Sequence, residues 1–334
     1  MKKLLTAIVC VFLLTVLLTA CGGGAPASVP AEEPKEETAA PAEEASAAAE
    51  TEEEEENTGD ASLDDPLNQD GIGEKELLVV SFGTSYNDSR RLTIGAIEKA
   101  LQAAYPDWSV RRAFTSQIII DHVKSRDGEE IDNVTEALDR ALANGVKYLV
   151  VQPTHLMTGF EYTDLENELA EYADAFEQIV LSKPVLASET DFTVVEEALV
   201  AETSSYDDGE TAICLMGHGT EAESNAVYAK MQAVFKESGN ENYYVGTVEA
   251  EPSVEDVLAA VKAGNYRRVV LRPMMIVAGD HANNDMAGDD EDSWKSIFRK
   301  AGYEVECVVE GLGQMEAIQA LILIHAGNAI GQIK

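Results

Sequence analysis

Positive charge is what this sequence most lacks. Its 24 Lys and Arg stand against 61 Asp and Glu, a formal net charge of −37. Nucleic-acid binding depends on basic surface that neutralises phosphates, so that class of partner is excluded. Cysteine is also scarce: Cys10, Cys21, Cys214 and Cys307 are all there is. Two of these fall in the first 21 residues, and the other two sit in apolar, strand-like runs that predict buried thiols. Neither a disulfide framework nor a cysteine-based metal site is implied. No apolar run reaches the ~18–20 residues of a membrane-spanning helix.

What is present divides the chain into unlike parts. Lys2 and Lys3 precede an almost unbroken apolar run from Leu4 to Leu18, which stops at Leu18-Thr19-Ala20-Cys21. A short positive start, a short apolar core and small residues before a cysteine predict a secretory signal over residues 1–20. The tetrapeptide resembles the bacterial lipobox, which makes Cys21 the lipidation site and the protein an extracytoplasmic, membrane-anchored lipoprotein of the cell envelope. Residues 21–70 then read as the anchor and an acidic, disordered linker. Sixteen acids and one base (Lys35) lie between Glu32 and Asp70, and so little apolar surface does not offset the entropy of ordering a chain.

Beyond residue 70 strands and helices alternate. Short apolar runs end in turn residues at Glu76–Phe82, Val110–Phe114 and Tyr148–Gln152. Between them, Arg90–Ala104, Ile118–Val123 and Val134–Ala143 carry apolar residues at helical spacing. This pattern predicts an α/β fold with parallel sheets flanked by helices. The order then repeats: Thr211–Thr220 matches Leu77–Thr84, with Gly219-Thr220 in register with Gly83-Thr84. Likewise Tyr243–Val248 answers Ser109–Phe114, and Arg268–Pro273 answers Tyr148–Pro153. Two similar halves, 75–200 and 201–334, follow, with a cleft between them at the carboxyl ends of the strands.

Metal-ligand residue types concentrate in the second half. His218 ends its first strand, Glu249 its second, and His281 follows its third. Two imidazoles and a carboxylate on successive loops suit a borderline divalent ion with positions left open for substrate. On spacing alone a second outcome stays open, in which the histidines are polar strand-end residues satisfied by hydrogen bonds. The matching first-half positions are Phe82, Thr115 and Glu161, so such a site exists once. His122 and His325, on helical faces, read as packing, and His155 is divided between a ligand pocket and a structural hydrogen bond.

Several stretches carry a resemblance. Ser81-Phe-Gly-Thr-Ser85, Arg112-Ala-Phe-Thr-Ser116, Met216-Gly-His-Gly-Thr220, Gly246-Thr-Val-Glu249 and Ala278–Asp289, running on to Asp292-Ser-Trp-Lys295, resemble the anaerobic sirohydrochlorin cobaltochelatases. The resemblance spans residues 75–330. It implies a class II tetrapyrrole chelatase that inserts Co²⁺ into sirohydrochlorin in corrin (cobalamin) biosynthesis. His218, Glu249 and His281 would bind the metal and His218 would act as base, with no cofactor beyond the substrate metal. Fe²⁺ or Ni²⁺ as that metal, an exported tetrapyrrole- or metal-binding lipoprotein, and a homo-oligomer stay open. Asp280 and Asp285 are candidates to orient the site. Arg90, Arg91, Arg111 and Arg112, with the Gly83-Thr84-Ser85 turn, are the candidates to hold substrate carboxylates. Two departures stand out: Thr158-Gly-Phe-Glu161 replaces the family's Pro-Gly-Glu-Glu, and Ala250 follows Glu249 where the family has glycine.

Overall fold

In the first half, strands β1 (Lys75–Ser81), β2 (Ser109–Phe114), β3 (Tyr148–Pro153) and β4 (Gln178–Leu181) form one parallel sheet of order β2-β1-β3-β4. In the second half, β5 (Thr211–Gly217), β6 (Tyr243–Thr247), β7 (Arg268–Pro273) and β8 (Glu304–Cys307) form another of order β6-β5-β7-β8. These come from a computed structural model that describes residues 58–334. The two orders are identical and every pairing is parallel, as the repeat in the sequence predicts.

The apolar runs are continuous because both faces of each sheet are covered. Successive side chains on β1 point to opposite faces, and the core divides accordingly. Leu77 and Val79 enter a central cluster, while Leu78 and Val80 enter an outer one. On β5, Ile213 and Leu215 join the same central cluster, and Ala212, Cys214 and Met216 turn outward. The halves therefore share one inner core.

Among the described residues ten α-helices surround the sheets: α1 (Asn87–Leu92), α2 (Ile94–Ala104), α3 (Gln117–Asp127), α4 (Val134–Ala143), α5 (Phe160–Glu171), α6 (Glu189–Thr203), α7 (Ala226–Glu237), α8 (Val254–Ala263), α9 (Trp294–Lys300) and α10 (Glu316–Ile330). The inner layer is built from α2, α6, α7 and α10, whose Ile97, Phe192, Met231 and Ile318 meet in the central cluster. Here the halves exchange partners. Helix α6, which ends the first half in sequence, packs on α7 of the second, and the terminal α10 packs on α2, α6 and β3. A cut near residue 200 thus marks a repeat in the chain but not a boundary in the core.

Two further expectations are corrected. The helix expected over Arg90–Ala104 is two helices, Asn87–Leu92 and Ile94–Ala104, divided at Thr93 (φ −108°, ψ −79°). The linker expected to run to residue 70 instead packs on the domain from residue 58. Leu67 is buried, its carbonyl accepts the Arg112 N–H at 3.2 Å, and Gln69 donates to the Val110 carbonyl at 3.1 Å. This strap covers the open edge of β2, an edge that would otherwise expose unpaired backbone. The signal, Cys21 and the linker up to residue 57 lie outside the described residues. Among the described residues no helix is long and apolar enough to cross a membrane.

Candidate metal centre

The carboxyl ends of β5, β6 and β7 bring the three expected residues together. Glycine makes the approach feasible. Gly219 has φ +95°, and a Cβ there would stand 2.8 Å from the Ala250 backbone nitrogen and 3.0 Å from the Thr247 Cβ. Ala250 itself is accommodated in that contact. The Glu249 N–H then donates to the His218 carbonyl at 2.9 Å, which staples one ligand-bearing loop to the other. Gly83 holds the equivalent turn in the first half, with φ +108°.

The resulting geometry is tight. His218 Nδ1 lies 3.9 Å from Glu249 Oε2, and His281 Nε2 lies 3.9 Å from Glu249 Oε1. The imidazole centroids are 4.7 Å apart at an interplanar angle of 80°. One ligand atom from each residue falls within 4.8 Å of the others, a spread that a single divalent ion can span after small side-chain adjustments. His218 and His281 are half-buried, with 22% and 15% side-chain exposure, and Glu249 stands at the exposed rim, with 26% of its side chain accessible.

Neighbouring groups set the tautomers. His218 Nδ1 is 2.8 Å from the Gly219 carbonyl, which can only accept, so the proton sits on Nδ1 and the lone pair on Nε2. His281 Nδ1 is 2.6 Å from Asp285 Oδ2, so its Nε2 likewise carries the lone pair and faces Glu249. A carboxylate behind a ligating imidazole fixes ring orientation and raises basicity. Asp285 is thereby an orienting group, while Asp280 accepts from Asn284 at 2.5 Å. His281 enters a π-helical turn, Ala282–Met286, a rare form that recurs at functional sites.

The two histidines are driven apart electrically. Burial, with the adjacent His281, pushes His218 below 6.5, against the pull of the Gly219 carbonyl, Glu249 and Glu161. Burial acts on His281 in the same direction, but the hydrogen bond and charge of Asp285, with Glu249 and Asp280, outweigh it and hold His281 above 6.5.

Residues 75–331 match the family described as cobalt chelatase (CbiK). The chain belongs to that family. This chelatase is 37% identical over 257 residues to a sirohydrochlorin cobaltochelatase of Salmonella typhimurium, covering 77% of this chain and 97% of the relative. It is 27% identical over 262 residues to a sirohydrochlorin cobaltochelatase, CbiKC, of Nitratidesulfovibrio vulgaris, covering 78% and 92%. Its fold is similar to SirB from Bacillus subtilis, solved with Fe³⁺, at a TM-score of 0.55 and 12% identity, over 78% of this chain and 99% of that one.

Elsewhere in this chelatase the structure departs from the sequence reading. Arg90, Arg111 and Arg112 are fully buried and already paired. Arg112 meets Glu98 at 2.7 Å and Asp64 at 2.7 Å, Arg90 meets Asp64 at 2.8 Å and Glu129 at 2.6 Å, and Arg111 meets Asp132 at 2.8 Å. Arg91 pairs with Asp88 at 3.0 Å. Substrate carboxylates therefore cannot be assigned to this cluster: three of its members are enclosed and saturated by acids.

A cavity adjoins the metal centre through His218, and a second lies beside it. The first, of about 170 Å³, is lined by Gly83, His155, Met157, Glu161, His218 and Tyr228 among others, and the second, of about 350 Å³, shares Phe82 and Glu161 with it. Among the described residues no lysine or arginine lines either cavity. Tyr228, which the sequence reading passed over, accepts the Gly219 N–H at 3.2 Å and props the turn. In sequence it is one apolar position of α7 among others. Glu161, the first-half match to His281, faces the cleft, and burial raises its carboxyl above 4.5. His325 lies 3.4 Å from Asp191 in the core, a packing role as expected, and His122 is half-buried on α3 and lines neither cavity.

Proposed function

We propose that the protein inserts a divalent metal, Co²⁺ by preference, into sirohydrochlorin. His218, Glu249 and His281 would hold the incoming ion; as it passes to the macrocycle nitrogens, the vacated Nε2 of His218 would take one pyrrole proton and the second would leave to water. The observation that carries this is the convergence of the three side chains, each from a different loop, at the cleft of a chain in the cobalt chelatase family. Insertion forms metal–nitrogen bonds and expels two pyrrole N–H protons, so a metal donor and a base are needed at one place. His218 suits both roles. Its Nδ1 proton is committed to Gly219, which puts the lone pair on Nε2, while its lowered basicity favours the neutral imidazole. Glu249 offsets the charge of the ion as water leaves it, and His281, oriented by Asp285, completes the set. The test is anaerobic turnover of the purified protein with sirohydrochlorin and Co²⁺, Fe²⁺ or Ni²⁺ in turn. Fastest turnover is expected with Co²⁺; no turnover with any of the three would overturn the assignment. Ligand type alone does not enforce the metal, because affinity follows the ion more than the site.

A second reading has its own support in Leu18-Thr-Ala-Cys21 after an apolar run. We propose that the protein is exported and anchored through lipidated Cys21, with the acidic segment as spacer. Export also keeps alive a role in capturing a tetrapyrrole or metal, although a carrier of whole macrocycles has no need of all three metal-ligand side chains. Cys21→Ala is expected to move the protein from the membrane to the soluble fraction, read by fractionation and immunoblotting. Unchanged membrane association would sink the anchor.

A further inference from the structure

His155 follows β3 on the first-half wall of the 170 Å³ cavity, which His218 lines from the second half. Both of its ring nitrogens are buried, and neither has a hydrogen-bond partner. That is an unusual state for an imidazole, which carries one donor and one acceptor, and leaving buried polar atoms unpaired costs stability. The hydroxyls beside it are not available to it: Thr154 Oγ1 donates to Ser81 Oγ at 2.8 Å. The backbone of His155 is fixed, since its carbonyl accepts the Val185 N–H at 3.0 Å. Only the ring is left without direction. A half-turn about Cβ–Cγ exchanges its two nitrogens with its two free ring carbons and fills the same space. With no protein partner favouring either orientation, a ligand can decide it.

The rest of the cleft narrows what that ligand offers. Among the described residues no lysine or arginine lines either cavity, and Arg90, Arg111 and Arg112 are spent on Asp64, Glu98, Glu129 and Asp132. Yet sirohydrochlorin, the substrate of the proposed function on which this inference rests, is a polycarboxylate. We propose that His155 is a substrate-binding residue, whose ring turns to donate its N–H to a carboxylate of the tetrapyrrole. Burial pushes its pKa down to about 4, so in the free protein it waits as a neutral imidazole with its one N–H unspent. The bond compensates for the unpaired state of the free protein, and its worth is that of a hydrogen bond to a charged acceptor.

The test compares the metal-free full-length protein with His155→Ala, His155→Asn and His155→Gln. Dissociation constants for sirohydrochlorin are measured by anaerobic absorbance titration, those for Co²⁺ separately, and thermal midpoints alongside. His155→Ala is expected to bind sirohydrochlorin about 10- to 100-fold more weakly, with Co²⁺ affinity unchanged. The amide variants, each keeping an N–H donor, are expected to recover most of the loss. The thermal midpoint of His155→Ala is expected to stay level or rise, because an unpaired polar group has been removed. Wild-type affinity in His155→Ala would overturn this inference and leave the proposed function standing. A lowered midpoint without recovery by the amides would make His155 structural and overturn it too. Failure of the wild-type protein to bind sirohydrochlorin would overturn both.

Discussion

His218→Ala is expected to slow metal insertion by about 10²–10⁴-fold, the usual worth of a positioned proton acceptor, and excess metal is not expected to restore the rate. His281→Ala is expected to behave differently. It removes a ligand whose Nε2 faces Glu249 at 3.9 Å but leaves the lone pair of His218 in place, so saturating metal should recover part of the activity. Steady-state rates over a range of Co²⁺ concentrations read the difference directly. Equal rescue of both variants would remove the base role from His218. The pH dependence follows from the same pair. Ligation needs both imidazoles neutral. His281 is held above 6.5 and His218 below it, so on acidification His281 protonates first. Metal binding is complete above the raised pKa of His281 and is lost as pH falls through it. The acid limb of the rate should therefore lie above 6.5, and an acid limb well below 6.5 would contradict this order of protonation.

The sequence made the frame of this site legible and hid its surroundings, for physical reasons. Strands buried on both faces leave continuous apolar runs, and a duplicated order of such runs fixes which loops share an end of the molecule. That order placed His218, Glu249 and His281 at one end of the second sheet, and the family resemblance made them a metal set. Nothing along the chain says against which half α6 and α10 pack, and each crosses to the other. Arg90 and Arg112 looked like free cations because their partner Asp64 lies 26 and 48 residues away, in a segment whose composition reads as solvated tail. Charge counted along the chain cannot distinguish an arginine awaiting a ligand from one already saturated. His155 was undecided for a related reason: whether a strand-end imidazole has a partner depends on what the fold brings to it.

The strap makes the second large prediction. Asp64 has 3% side-chain exposure and accepts from Arg90 Nε at 2.8 Å and from Arg112 Nη1 and Nη2 at 2.7 and 3.1 Å. Burial alone would raise the Asp64 carboxyl, but Arg112 and Arg90 outweigh it and hold it below 3.8, so it stays ionised at neutral pH. Asp64→Ala leaves two buried guanidinium groups short of three hydrogen bonds. Breaking a buried pair from one side costs about 3–5 kcal/mol, and lifting of the strap to admit water places the expectation near the lower figure. For a domain of this size that corresponds to a fall of about 6–12 °C in the thermal midpoint. Deleting residues 25–57 is expected to leave the midpoint unchanged, since a stretch so poor in apolar side chains adds little to a core. Extending the deletion to residue 67 should reproduce or exceed the loss seen with Asp64→Ala, because Leu67 and the cover of β2 go with it. Scanning calorimetry of the three variants decides the matter. A stable protein lacking residues 25–67 would show that the strap is dispensable and that water satisfies the arginines as well as Asp64 does.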